Sequence, residues 1–313
     1  MLGHISKSID KIVEKTPKQA LYGFAALGSF YVLRSGFRVL SSFYRHVIRR
    51  PLDFPSRYGK GSWALVTGGA NGIGKAWSQE LAKLGFNILI IDFDWEAANQ
   101  AKETIELNYK VVVEMLILDL SDQDNIANVG KFIEENNLDI SILVNNAGAH
   151  KMAPVKDMPN EDIMKLINTN VIAMTLLTRL LLPKLLERKQ RSAIINMSSV
   201  SAHIGFPYST VYAATKSYIR IFSASLREEI KEKIDVLVVS PEGVSTNMTK
   251  KPVGGDIVRP EDCVIGALKE LGRRIETFGA PRHTWNGWKN SFFSDATRSE
   301  RTERYLRKYF INK

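Results

Sequence analysis

Three side chains in the middle of the chain could exchange a proton with an oxygen carried on carbon: Ser199, Tyr212 and Lys216. Tyr212 and Lys216 are four residues apart in a stretch that reads as a helix, so both project from one face. A tyrosine with its ordinary pKa of about 10 is a poor acid–base group at neutral pH, and a nearby ammonium favours its phenolate. The spacing therefore predicts that Lys216 lowers the pKa of Tyr212, and the lysine also has the reach to hold a ribose. Ser199 lies thirteen residues before the tyrosine and after an apolar run, where its hydroxyl can donate a hydrogen bond to a carbonyl or alcohol oxygen. A Tyr and a Lys at this spacing also occur on ordinary solvated helices, so the chemistry needs a second reactant.

Residues 67–74, TGGANGIG, provide a place for one. They follow an apolar run at 63–66 and precede a helical pattern at 75–83. Glycines at 68, 72 and 74 remove side chains that would hold a dinucleotide's pyrophosphate off the backbone, and the first N–H groups of the helix then face the phosphates. Gly68, Asn71, Gly72, Ile73 and Gly74 form this candidate cradle. A tight strand-to-helix turn needs glycine on its own account, which is the plain structural alternative.

Asp92 ends the second apolar run, eighteen residues after Gly74, where a dinucleotide fold places the acid that binds the adenosine ribose hydroxyls. A carboxylate there repels a 2′-phosphate, and Phe93, Asp94 and Trp95 bring no cation to receive one. This points to NAD(H), with NADP(H) as the alternative. Asp119, followed by Leu120, ends the third run in the same way and could meet the adenine edge. The segment Val144-Asn-Asn-Ala-Gly148 ends the fourth, and its small residues allow a cofactor to lie close to the sheet through Asn146, Ala147 and Gly148. Asparagines that pair backbone groups between strands would be the structural version of the same motif.

These residues must be positioned by the elements between them. Short apolar runs at 63–66, 87–91, 111–118, 140–144, 193–196 and 236–239 alternate with helical patterns near 75–84, 95–108, 122–136, 160–189 and 209–233. Such alternation implies parallel strands with right-handed crossovers, hence an α/β doubly wound parallel sheet with its ligand at the carboxyl ends of the strands.

The flanks differ from this middle. Residues 1–60 carry eleven Lys/Arg against three acids, residues 61–250 nineteen against twenty-two, and residues 251–313 thirteen against eight, so the net charge of +10 resides in the ends. A balanced middle between basic ends argues against a nucleic-acid-binding domain and for contact with an anionic membrane surface or an acidic partner, a solvated surface being the alternative. Residues 1–18 are polar and lysine-rich, and residues 20–33 then run fourteen positions without a charge, short of the about 20 a straight span needs. Arg34, Arg38, Arg45 and Arg49 follow on one helical stripe, with Val39, Leu40, Phe43 and Val47 opposite. This predicts an apolar plug joined to a basic amphipathic helix that meets a membrane surface through residues 19–50. The alternative is a helix packed on the catalytic domain or on a neighbouring subunit. Pro51 and Pro55 mark residues 51–60 as a linker, and the expected division is 1–60, 61–250 and 251–313. The last part reads as a helix near 260–274, a Gly/Pro/Trp-containing loop through Trp288 and a basic helix at 295–310. Cys263 is the sole cysteine, which excludes an intrachain disulfide and reads as structural, and no metal site is expected.

TGGANGIG, NNAG, Ser199 with Tyr212-Ala-Ala-Thr-Lys216, and Pro241-Glu-Gly-Val-Ser-Thr246 together resemble the short-chain dehydrogenase/reductase family over about residues 61–250. The resemblance implies a Rossmann-type sheet and a catalytic tetrad of Asn170, Ser199, Tyr212 and Lys216, in which Asn170 holds a proton-relay water through a helix distortion. It also implies cofactor contacts from Pro241, Val244 and Thr246, with Thr246 at the nicotinamide carboxamide. Within the family, the N-terminal extension and the residues around the glycine turn are similar to the membrane-attached 17-beta-hydroxysteroid dehydrogenase and very-long-chain 3-oxoacyl reductase branch. That branch usually has a serine and an arginine where this chain has Asp92 and Phe93, and often a longer substrate lid where this chain has residues 252–255.

The expected function is hydride transfer between NAD(H) and a hydroxyl or carbonyl carbon of a lipophilic substrate, sterol or fatty acyl in type. The expected place is a membrane, the endoplasmic reticulum before the mitochondrion, with the protein a homodimer or part of a membrane complex. The rival reading is a dehydrogenase fold kept as an accessory subunit that binds dinucleotide with little turnover.

Overall fold

The computed structural model describes residues 16–307 and divides into two units between Arg49 and Arg50. The lysine-rich start and the end of the expected basic helix, with Lys308, lie outside the described residues. In the first unit, helix α1 (Lys18–Phe43) follows Pro17 and runs for 26 residues into a π-turn at Tyr44–Ile48. The apolar stretch, Arg34 and Arg38 therefore share one continuous helix, Arg45 lies in the π-turn, and Arg49 is extended beyond it. None of its residues is buried, and Tyr22, Phe24, Phe30, Tyr31 and Phe37 are exposed.

The second unit is built on a seven-stranded parallel sheet, order β3-β2-β1-β4-β5-β6-β7. The strands are β1 (Trp63–Thr67), β2 (Asn87–Asp92), β3 (Val113–Ile117), β4 (Ile140–Asn145), β5 (Ser192–Met197), β6 (Ile234–Val239) and β7 (Glu276–Thr277). Side chains alternate across each strand, so one face buries Ala64, Val66, Ile88, Ile90, Val144 and Ile195, and the other buries Leu65, Leu89, Ile91, Leu143 and Ile194. Helices α3 (Gly72–Lys83), α4 (Trp95–Asn108) and α9 (Pro260–Leu268) cover the first face through Trp77, Leu81, Ile105 and Val264. Helices α5 (Asn125–Glu135), α7 (Ala173–Glu187) and α8 (Thr210–Ile230) cover the second through Val129, Ile133, Leu177, Leu181 and Leu226. Continuous apolar strands are what a sheet covered on both faces requires.

Three expectations change. Residues 51–60 are more than a linker, because α2 (Phe54–Tyr58), capped by Asp53, buries Phe54 and Tyr58 completely in the first-face core. Below it, Asp235 of β6 accepts from Arg57 Nε at 2.6 Å, Tyr58 Oη at 2.7 Å and Arg191 at 3.0 Å, so a charge cluster ties this helix under the sheet. The helical pattern at 160–189 is two helices, α6 (Asn160–Ile167) and α7, joined by a π-turn at Asn168–Ile172. Among the described residues, Asn160–Glu187 is the stretch long and apolar enough to cross a membrane, yet Leu166, Leu177, Leu181 and Leu185 are buried in the domain, which accounts for its composition. Finally, residues 251–313 are more than an extension: α9 and β7 complete the sheet layer, and the expected loop through Trp288 contains α10 (Pro281–Asn290) before α11 (Asp295–Leu306). A two-residue strand has too short a pattern to be read from sequence.

Candidate active site

Beyond the carboxyl ends of the strands lies a cavity of about 500 Å³. It sits across the point where the strand order reverses, between β1 and β4. Its lining includes Gly68, Asn71, Gly72, Ile73, Asp92, Asp119, Leu120, Asn146, Ala147 and Gly148. Ser199, Tyr212, Lys216, Pro241, Val244 and Thr246 line it as well. Of the candidate residues, Gly74 and Asn170 stand behind the wall.

The glycine turn shows why. Gly68 and Gly72 take left-handed backbone conformations, φ +61° and +53°, which glycine alone adopts without strain. Gly74 instead lets α3 press against β1, since a Cβ there would lie 1.9 Å from the Gly68 carbonyl oxygen. It shapes the cradle without facing it. Helix α3 starts with no side-chain cap from Asn71, which leaves its first N–H groups directed to the cavity rim. Asp92 Oδ2 accepts from Ala70 N at 3.0 Å, so the β2 carboxylate also pins this turn. Asp119 Oδ1 accepts from Ser121 N at 2.8 Å, which holds its carboxyl below the ordinary range.

Both versions of the asparagine motif occur. Asn145 is buried and donates to Thr178 and Asn196, while Asn146 lines the cavity and ties β4 to the turn through Thr67 O (3.0 Å) and Gly68 O (3.1 Å). Asn170 is wholly buried in the π-turn; it accepts from Ala149 N at 2.7 Å and donates to Ala149 O and Thr215 Oγ1, each at 3.0 Å. In the π-turn its amide meets the segment after β4 and helix α8.

Tyr212 and Lys216 share the inner face of α8, with Nζ 5.5 Å from the tyrosine ring centroid. Burial acts against the expected tuning. Burial raises the Tyr212 hydroxyl above its ordinary value, opposed by a hydrogen bond with Ser199, and burial lowers Lys216 to about 8. The Lys216 ammonium donates to Met197 O at 2.9 Å, and burial is the largest cause of the shift at both groups. Sequence reasoning also missed His150, whose ring lies edge-on 4.5 Å from Tyr212 with Nε2 at 3.1 Å from Ser209 Oγ, and Glu242 and Lys165 on the cavity wall. Their partners are remote in sequence, so no spacing signals them. Cys263 is buried under the sheet with its thiol pushed up to about 12, as a structural cysteine should be.

A dinucleotide fits this geometry: two left-handed glycines, an uncapped helix start and a strand-end carboxylate lie along one wall. Comparison with known proteins agrees. Residues 62–254 match the short chain dehydrogenase family model. The chain is 36% identical over 230 residues to a very-long-chain 3-oxoacyl-CoA reductase of Bos taurus, covering 72% of this chain and 73% of that one. It is 34% identical over 276 residues to a 17-beta-hydroxysteroid dehydrogenase type 3 of Danio rerio, covering 84% and 88%. A solved 7beta-hydroxysteroid dehydrogenase superposes with a TM-score of 0.71 at 22% identity, over 80% of this chain and 99% of that one, and shows the fold. With cavity, glycine turn and tyrosine–lysine face in one wall, the chain belongs to the short-chain dehydrogenase/reductase family, oxidoreductases of CH–OH and C=O groups that bind a nicotinamide dinucleotide.

Proposed function

We propose that this protein transfers a hydride between NAD(H) and a hydroxyl or carbonyl carbon of a lipophilic substrate, sterol or fatty acyl in type, at a membrane. The observation that carries the reading is that Ser199, Tyr212 and Lys216 line the same cavity as the glycine turn and Asp92. Bound dinucleotide supplies the hydride acceptor or donor. Tyr212 gives a proton to the substrate oxygen in reduction and takes it in oxidation, and Ser199 donates a hydrogen bond that positions that oxygen. The Ser199 hydrogen bond is also what opposes the upward pull of burial on the tyrosine. Lys216, anchored on Met197 O, holds the ribose. Asn170 fixes the backbone at Ala149 beside Gly148, where Asn170 Oδ1 and Lys216 Nζ converge.

NAD(H) is preferred because a 2′-phosphate would meet Asp92 and Asp94, both on the cavity wall, with the exposed Phe93 between them. The lipophilic substrate class draws on the activities named for the bovine and zebrafish relatives and on the largely apolar residues of α1. The same features support attachment at the endoplasmic reticulum, with a mitochondrial membrane as the alternative.

Parallel titration of the full-length protein with NADH and NADPH, followed by nicotinamide fluorescence, tests the cofactor assignment. NADH is expected to bind at least about tenfold more tightly, as one close carboxylate–phosphate repulsion requires. Preference for NADPH would remove Asp92 from ribose recognition and assign the alternative cofactor.

A further inference from the structure

The loop after β6 carries a carboxyl that the reaction as described does not use. Glu242 lines the cavity one residue after Pro241, whose carbonyl accepts from Val200 N at 3.0 Å, and Val200 is the residue after Ser199. Glu242 therefore belongs to the reacting end. Asp92, at the end of β2, is four strand positions from β6, about 19 Å at about 4.8 Å per strand.

Helix α10 holds this carboxyl in place. Asn286 Nδ2 donates to Glu242 Oε2 at 2.7 Å and to Asp256 Oδ1 at 3.0 Å, so its amide is spent on two carboxyls. One turn earlier, His283 accepts the Glu242 backbone N–H at Nδ1 (3.3 Å) and donates from Nε2 to Asp256 O (3.2 Å). Burial keeps that imidazole below its ordinary pKa, against the pull of its backbone hydrogen bonds, in keeping with a neutral ring in this tautomer. His283 and Asn286 are themselves buried. Burial pushes the Glu242 carboxyl up, Asn286 and Lys289 oppose this, and the charge of Asp256 adds to it. Oε2 is thus anchored, while Oε1 has no hydrogen-bond partner among the described residues. The result is an anchored acceptor on the cavity wall beside the Ser199 segment.

We infer that Glu242 is a specificity-determining residue, whose Oε1 accepts a hydrogen bond from a hydroxyl or ammonium group that the substrate carries close to its reacting carbon. The inference rests on the oxidoreductase reading above and narrows its substrate class to hydroxy- or amino-substituted carbonyls and the corresponding diols or amino alcohols. A ligand lacking that donor strips water from Oε1 and offers nothing in return. Such unpaired groups are what polar sites discriminate by.

Binding of matched probes tests it without turnover. The full-length, detergent-solubilised protein, saturated with NADH so that no hydride acceptor is present, is titrated calorimetrically with 1,2-decanediol and with 2-decanol. The wild type is expected to bind the diol at least about tenfold more tightly, the size of one hydrogen bond to a charged or strongly polar acceptor. Glu242→Leu is expected to bring the two within about twofold. Asn286→Ala, which keeps the carboxyl and releases its anchor, is expected to lower the preference as well, and covers the case of a poorly folding Glu242→Leu. Equal binding by the wild type, binding of neither probe, or a preference that survives in Glu242→Leu overturns the assignment. A NADH fluorescence titration of the same preparations separates the two levels: retained NADH binding without diol preference removes Glu242 alone, and failure of the wild type to bind NADH removes the reading beneath it.

Discussion

At the residue scale, burial bears on both members of the tyrosine–lysine pair. Tyr212 is raised by burial and eased down by Ser199, and Lys216 uses one of its three ammonium N–H donors on Met197 O. Replacing Tyr212 with Phe removes the proton donor while leaving the cradle untouched. Turnover should fall by about a hundredfold to ten-thousandfold, the range for a lost general acid. NADH affinity measured by fluorescence should stay within about threefold, because the removed hydroxyl acts on the reacting oxygen. A variant that keeps wild-type turnover would take the proton-transfer role away from Tyr212. Tyr212 and Lys216 were readable because a helix converts a four-residue spacing into a shared face. His150 and Glu242 were not readable, because the groups that orient them, Ser209, His283 and Asn286, arrive from other elements.

At the scale of elements, one contact bears on the cradle and a second on the seating of α2. A Cβ at Gly74 would overlap the Gly68 carbonyl and crowd Asn146 Nδ2 at 2.5 Å, both being held by β1 and β4. Gly74→Ala should therefore cost about 3 kcal/mol in unfolding free energy, the upper range of overpacking, and weaken NADH binding together with it. Unchanged thermal stability would show that α3 can retreat from β1. The second contact is the Asp235 cluster that seats α2 beneath the sheet. Burial pushes the Asp235 carboxyl up, but hydrogen bonds from Arg57 and Tyr58 and the charge of Arg191 bring it below its ordinary 3.8. A depressed folded pKa contributes stability above the unfolded value and loses it as pH falls through the folded one. Asp235→Asn should lower stability at pH 7 by about 3 kcal/mol, as breaking a buried ion pair does. The gap from wild type should close below the ordinary carboxylate value of 3.8, read by chemical denaturation across pH. A gap that persists in acid would assign the loss to packing.

At the scale of the whole molecule, the chain joins a sheet domain to a helical unit with a different surface. Helix α1 carries exposed aromatic and aliphatic side chains together with Arg34 and Arg38. Near an anionic bilayer each basic residue is worth about 1 kcal/mol. Arg34→Glu with Arg38→Glu should therefore weaken partition of the full-length protein onto phosphatidylserine-containing vesicles by at least about tenfold in a sedimentation assay. Equal partition of variant and parent would shift the basic helix from lipid contact to protein contact.

The local signals carried a long way because each rests on short-range sterics. Apolar runs and helical periods encode the strands and helices from β1 to β6, and the glycine turn encodes a backbone that few other residues can adopt. Family motifs lie inside those elements, so the dinucleotide cradle and the Ser199, Tyr212 and Lys216 face were determined by the sequence itself. Tertiary structure alone decided the remainder. Phe54 and Tyr58 became core by packing on the first face, where Tyr58 also reaches Asp235 of β6, and β7 was recruited although its own pattern is two residues long. Gly74 and Asn170 moved behind the cavity wall for the same reason, since their neighbours were chosen by packing across the sheet. Burial is a property of the assembled fold, and so is the balance it sets on Tyr212, Lys216 and Glu242.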